Sequence, residues 1–239
     1  MDQSNNIPVL YLAGDSINQT ASETDYPRVG MGEKLLKYLD EETKIRVYHR
    51  ESSPFPTQMC YEGSSLILDN CAMAGRSSKT FLEEGRLEDI KLRMKEGDFL
   101  LVQFGHNDAS ASKPERRVAV AGFPSYLNRY VEAAGAAEAH PILISPICLC
   151  PGEETRSGEK GEIAGLLPEY TGKMREYAKK EQIPFIDMYH LTEAYCKKAG
   201  EAEAKSLYMP DLVHLVEKGA DYYAGMLANE LKCLIIAGK

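Results

Sequence analysis

PVLYLAGDS, residues 8–16, decides how the rest of the chain is read. Its first six residues are apolar without a polar alternation and then break at Gly14, so they read as a strand covered on both faces. Such a strand belongs in a parallel sheet between two layers of helices. Further runs of strand length lie at 65–70, 99–104, 141–145 and 184–188, and segments of helical period separate them at 32–40, 80–95, 126–139 and 167–180. A terminal helix is predicted over 217–236 and a brief one over 191–198. The alternation predicts one α/β domain over residues 1–239, with three α/β/α layers around a five-stranded parallel sheet of flavodoxin-like layout. Two stretches fit the repeat poorly. Residues 43–63 are longer than a normal connection and read as an added hairpin or a loop near the site, and 151–165 read as a surface loop.

Composition narrows the function classes. Hydrophobic residues make up 44% and charged residues 27% of the 239, with no repeat or low-complexity tract, which is ordinary for a globular chain. The net charge of −8, without a long Lys/Arg cluster, excludes a general nucleic-acid surface. No basic segment precedes the first apolar stretch, which is too short for a signal sequence or a membrane span, so a cytoplasmic protein with no membrane partner is expected. Cys60, Cys71, Cys148, Cys150, Cys196 and Cys233 are scattered and read as free thiols. Cys148 and Cys150 have no second ligand pair at metal spacing, so neither a metal nor a cofactor is expected. No glycine-rich phosphate loop follows a strand, which argues against a nucleotide-binding protein.

In open α/β sheets ligands bind beyond the carboxyl ends of the strands, so the residues there are tested as a set. The first strand ends at Gly14-Asp15-Ser16, the second at Asn70 with Gly75 close behind, and the third at Gly105-His106-Asn107-Asp108. Asp211-Leu212-Val213-His214 precedes the last helix. Ser16, at a strand break, is placed to project its hydroxyl into a cleft, but a serine needs an adjacent base, and histidine suits that task. His214 is the candidate base, and Asp211, three residues earlier, is placed to orient its ring. Oxyanion donors are expected from the Ser16 and Gly75 backbone amides and from the Asn107 side chain. Taken singly, Gly-Asp-Ser and Asn107 read as turn signals, Asp211 as a helix cap and His214 as a helix-start residue. Those readings do not predict the joint arrangement.

AGDS at 13–16, NCAMAGRSS at 70–78, FGHND at 104–108 and DLVH at 211–214 resemble, in order, the four sequence blocks of the SGNH (GDSL-type) hydrolases. The resemblance implies the SGNH hydrolase fold, with Ser16 as nucleophile, Gly75 and Asn107 as oxyanion donors, His214 as base and Asp211 as its partner. AGRSSKTFLEEGR at 74–86, GDFLLVQFGHND at 97–108 and PFIDMYHLT at 184–192 are more specifically similar to the rhamnogalacturonan acetylesterase branch. That likeness implies removal of acetyl groups from pectic sugars, with a small acetylated oligosaccharide as partner. Ile17, Leu212, Val213, Leu215 and the stretch 43–63 depart from that branch's pattern. Asp15, Arg76 and His106 are the expected substrate-binding residues. Arg76, with Lys79 one turn on, is placed to offer counter-charge to a uronate, or else to brace a helix start. A lipid or acyl-thioester hydrolase and a carbohydrate-binding protein without turnover remain the alternatives.

Overall fold

The structure is a computed structural model and describes residues 7–40, 44–50 and 53–237. Strand β1, Val9–Gly14, is buried at every position and forms the centre of the sheet. It pairs in parallel with β4, Ile67–Asn70, on one side and with β5, Phe99–Gln103, on the other. β6, His140–Ile144, and β7, Phe185–Ile186, extend the parallel array beyond β5. These five are the expected strands in flavodoxin-like order. The segment 43–63 corrects the strand count, because β2, Arg46–His49, and β3, Met59–Glu62, form a hairpin that adds antiparallel to β4. Among the described residues the sheet therefore has seven strands, in the order β2-β3-β4-β1-β5-β6-β7.

Alternate side chains of the inner strands feed two separate cores. Leu10, Leu12, Leu101 and Ile144 meet α1, Gly32–Leu39, and α8, Glu217–Ala237, through Leu35, Tyr223 and Leu227. Tyr11, Leu100, Val102 and Leu143 meet the other helical layer through Phe81, Leu127, Tyr130 and Tyr170. Each fully buried side chain of this size contributes roughly 1.5–3 kcal/mol of transfer free energy. The sheet is thus the common wall of both cores, and its polar carboxyl edge is held rigidly between them.

Several expected boundaries move. The single helix predicted over 80–95 is two, α2, Ser78–Glu83, and α3, Arg86–Lys91, separated by Gly85 in a left-handed conformation. α4, Phe123–Ala136, lies where a helix was expected. Residues 151–165 are not a loop throughout, because α5, Gly158–Glu181, begins within them. Two further helices follow β7: α6, Met188–Ala199, and the short α7, Glu201–Lys205. The six cysteines are free, five of them buried, so Cys148 and Cys150 are core thiols. No described helix is long and apolar enough to cross a membrane.

Candidate active site

Ser16 stands in the turn that leaves β1. The Asp15 carbonyl accepts N–H bonds from Asn18 and Gln19, both at 3.1 Å, while the Asp15 carboxylate accepts the Ile17 N–H at 3.0 Å. The chain is thereby wound into a helical turn immediately after the serine, which fixes where the hydroxyl points.

The segment carrying His214 is wound around Asp211 in the same way. One Asp211 carboxylate oxygen accepts the backbone N–H groups of Val213 and His214, each at 2.9 Å. Closing that loop puts Leu212 at φ 63°, a left-handed conformation that non-glycine residues rarely adopt. Its neighbours hold it there: Leu212 N–H donates to Met209 O at 2.8 Å, and Cys150 N–H donates to Leu212 O at 2.9 Å. The second carboxylate oxygen of Asp211 lies 2.7 Å from His214 Nδ1, and His214 Nε2 lies 2.9 Å from Ser16 Oγ, 198 residues away in sequence. A carboxylate only accepts, so the network assigns the ring proton to Nδ1 and leaves Nε2 to accept from the Ser16 hydroxyl. Burial raises the Asp211 carboxyl, but the hydrogen bonds from the His214 ring and from the His214 and Val213 amides outweigh it and bring it down to about 2.

Two loops carry the expected anion donors. Behind β4, Met73 N–H donates to Gly14 O at 3.0 Å and Ala74 N–H donates to the Gln19 side chain. Gly75 follows at φ 77°, a conformation cheap only for glycine. The Ser16 and Gly75 N–H groups have no acceptor among the described residues. Behind β5, Asn107 is 9% exposed and donates from Nδ2 to Arg76 O at 3.0 Å, which ties the two loops together and leaves its second N–H for a ligand.

Asp108 makes the same junction from below, and its role was not legible in the sequence. Fully buried, it accepts the Ser78 N–H at 3.1 and 3.2 Å and the Ser78 hydroxyl at the start of α2. Burial pushes its carboxyl up to about 7, against the Ser78 hydrogen bonds and with a small push from the Asp15 charge. A carboxyl raised above its unfolded value contributes stability that is complete below about pH 4 and is lost as pH rises through about 7. Asp108→Asn abolishes that titration, so wild type is expected to lose ground against the variant over this interval in urea unfolding midpoints. A constant gap between the two proteins would contradict it.

The expected substrate-binding residues fare differently. Asp15 is only 1% exposed, and its carboxylate organises the Ser16 turn, facing His106 Nδ1 at 3.6 Å. In the structure it braces the turn from inside. His106 is buried beside it, with Nε2 unpartnered among the described residues. Arg76 grips Glu84 at 2.8 and 3.0 Å and bonds Ala74 O at 2.8 Å, the contacts expected of a helix-start brace, but Glu84 also takes Arg86 at 2.7 Å, so one carboxylate serves two guanidinium groups. Lys79 reaches Glu115 O at 3.1 Å. Leu212 and Leu215, which flank His214, turn into the core. The structure thus brings Ser16, His214 and Asp211 into one chain of contacts and ties the Gly75 and Asn107 loops together.

The sequence model of the GDSL-like lipase/acylhydrolase family matches residues 10–225. YesY of Bacillus subtilis (strain 168), a probable rhamnogalacturonan acetylesterase, is 33% identical over 93% of this chain and 92% of its own length. RhgT of the same organism, a rhamnogalacturonan acetylesterase, is 27% identical over 93% of this chain and 89% of its own length. The crystal structure of YxiM from Bacillus subtilis superposes with a TM-score of 0.74 at 24% identity, covering 97% of this chain and 58% of that one. Axe2, an acetylxylan esterase from Geobacillus stearothermophilus, superposes at 0.65 with 15% identity, covering 95% and 94% of the two chains, and shares the fold. The chain belongs to the GDSL-like lipase/acylhydrolase family and is a carboxylic ester hydrolase.

Proposed function

We propose that the chain, acting as one catalytic unit, is a serine esterase that removes acetyl groups from acetylated carbohydrate of the rhamnogalacturonan type. The observation that carries this reading is the unbroken relay from Ser16 Oγ through His214 to Asp211, at 2.9 and 2.7 Å. Ser16 Oγ attacks the acetyl carbonyl while His214 Nε2 takes its proton, and the negative Asp211 stabilises the imidazolium that forms. The carbonyl oxygen becomes an oxyanion facing the N–H groups of Ser16, Gly75 and the Asn107 side chain. Collapse of the tetrahedral intermediate breaks the bond to the sugar oxygen, which takes the proton from His214 and leaves acetyl-Ser16. Water, deprotonated by the same histidine, then releases acetate by the reverse sequence of transfers. No step calls for a metal.

The substrate class rests on the names of the two relatives that match nearly the whole chain. A lipid or thioester substrate loses its main sequence support, because Leu212 and Leu215 pack in the core and do not line an acyl channel. The test is acetate release from a panel of acetylated pectic and xylan oligosaccharides, with p-nitrophenyl acetate compared against the octanoate. The expected result is preference for acetate and release from at least one carbohydrate. Preference for octanoate, with no release from any sugar, would replace the reading with that of an acyl-chain hydrolase.

Asn107→Ala is expected to lower kcat by about 10²- to 10³-fold with little change in KM, because its free N–H meets negative charge only in the transition state. The same variant also loses the tie to Arg76 O, so a thermal melt must accompany the kinetics. An effect confined to KM would make Asn107 a ground-state binding group.

A further inference from the structure

We propose that a cleft beside the Ser16–His214 pair is a substrate subsite for a neutral pyranose, the sugar next to the acetylated one. The assignment rests on the carbohydrate-esterase reading above and adds to it which neighbour the substrate carries.

The cleft is open to solvent, has a volume of about 480 Å³, and is built from the two chain segments that lead away from Ser16 and His214. The chain leaving Ser16 supplies one wall, with Ser22, Glu23 and Tyr26, and Val29 forms part of the lining. The chain leaving His214 supplies the other through Glu217, three residues on and so within about 11 Å of chain. Val29 N–H donates to Leu215 O at 2.9 Å and Arg28 bridges to Val216, which stitches the two segments together directly behind His214. Through Val29 the lining touches Leu215, the residue after His214, so the cleft lies on the His214 side of the site, and the proposed ligand, its acetyl group meeting Ser16, extends into it.

The lining has the chemistry of a sugar site. Tyr26 is 68% exposed, an unusual position for a ring of that size in a chain whose other large side chains are mostly buried. An aromatic ring offers a flat apolar face to the C–H side of a pyranose and, with few rotatable bonds, loses little entropy on contact. Carboxylates accept hydrogen bonds from sugar hydroxyls, and charge-assisted bonds of this kind are the stronger ones. Three carboxylates, Glu23, Glu33 and Glu217, face a single ammonium, Lys34, which is already paired to Glu33 at 3.2 Å and to Glu217 at 3.1 Å. The surplus negative charge repels a uronate and leaves a neutral sugar unaffected. Arg76 is not part of this lining and adds no cation to it.

The experiment measures acetate release from acetylated xylotetraose, acetylated methyl xyloside and acetylated trigalacturonate. Wild type is expected to prefer the tetraose to the monosaccharide. Tyr26→Ala is expected to reduce the tetraose-to-monosaccharide ratio of kcat/KM about tenfold, the scale of one lost ring contact, and Tyr26→Phe to preserve it. The double variant Glu23→Gln/Glu217→Gln is expected to raise trigalacturonate relative to tetraose. If wild type releases no acetate from any of the three, nor from an acetylated rhamnogalacturonan oligosaccharide, the carbohydrate-esterase reading falls and the subsite with it; release from the rhamnogalacturonan alone overturns the subsite as assigned. If wild type is active but Tyr26→Ala leaves the ratio unchanged, the subsite alone is overturned. An unaltered trigalacturonate-to-tetraose ratio in the double variant overturns the neutral-sugar assignment.

Discussion

Ser16→Ala is expected to lower kcat on p-nitrophenyl acetate by about 10⁶-fold, the scale reached when a triad serine is lost, with a residue of activity from the anion donors and substrate binding. Nothing else along the carboxyl edge replaces the hydroxyl, because His214 Nε2 is aimed at this one oxygen at 2.9 Å. Stability should barely move. The hydroxyl makes a single hydrogen bond, worth about 0.5–1.5 kcal/mol, which shifts the unfolding midpoint of a domain this size by a few degrees, roughly 2–4 °C per kcal/mol. The turn that holds residue 16 is built by Asp15 and its backbone bonds and is indifferent to the side chain. The checks are steady-state kinetics beside a thermal melt, and covalent labelling by a fluorophosphonate, which should mark wild type and spare the variant. Turnover within tenfold of wild type would remove Ser16 from the mechanism.

The parallel strands and the residues that meet at their carboxyl edge were legible for one physical reason: each is marked by a local pattern. A strand buried on both faces writes itself as a continuous apolar run, and Ser16, Asn107 and the Asp211–His214 pair follow breaks in such runs or open a helix. The edge hairpin wrote no such run, because β2 is largely exposed and partners β3 alone. The start of α5 was hidden by Gly158, Gly161 and Gly165, residues that argue against a helix. At Gly161 the fold demands glycine, since a Cβ there would lie 2.6 Å from the Arg156 carbonyl carbon. The choice between the two readings of Arg76, counter-charge or brace, could not be made from sequence, which shows a charge and not its partner, and Glu84 meets it only once α2 has formed. Asp108 stood in the FGHND motif, but its bond to Ser78 joins positions 30 residues apart and exists only where the two loops meet.

Asp211→Asn is expected to lower kcat by about 10⁴-fold with KM little changed, and the hydrogen bonds around the residue say why. Both oxygens of Asp211 are acceptors: one holds the Val213 and His214 amides, the other faces His214 Nδ1. Asparagine has one oxygen, and the two backbone N–H groups claim it, because leaving them unpaired costs more than reversing a side-chain contact. The amide NH₂ then points at Nδ1, which must give up its proton to accept, and the ring proton moves to Nε2. A protonated Nε2 cannot accept from Ser16, so the base is disabled with its geometry intact. The charge is also lost. Asp211 is held at about 2 and so is ionised through the neutral range, where it stabilises the imidazolium of the transition state. A carboxyl lowered in the folded state contributes stability that is present above the ordinary carboxylate range and is lost as pH falls from about 4 towards 2. The part of the stability gap between wild type and Asp211→Asn that comes from this carboxyl should therefore close as pH falls from about 4 towards 2, and it is modest because the side chain is nearly half exposed. Kinetics at neutral pH with unfolding curves across this range check both halves. Full activity in a folded Asp211→Asn protein would show that His214 takes its tautomer from elsewhere, and a gap that does not shrink between about pH 4 and 2 would mean that the Asp211 carboxyl is not the group being held ionised.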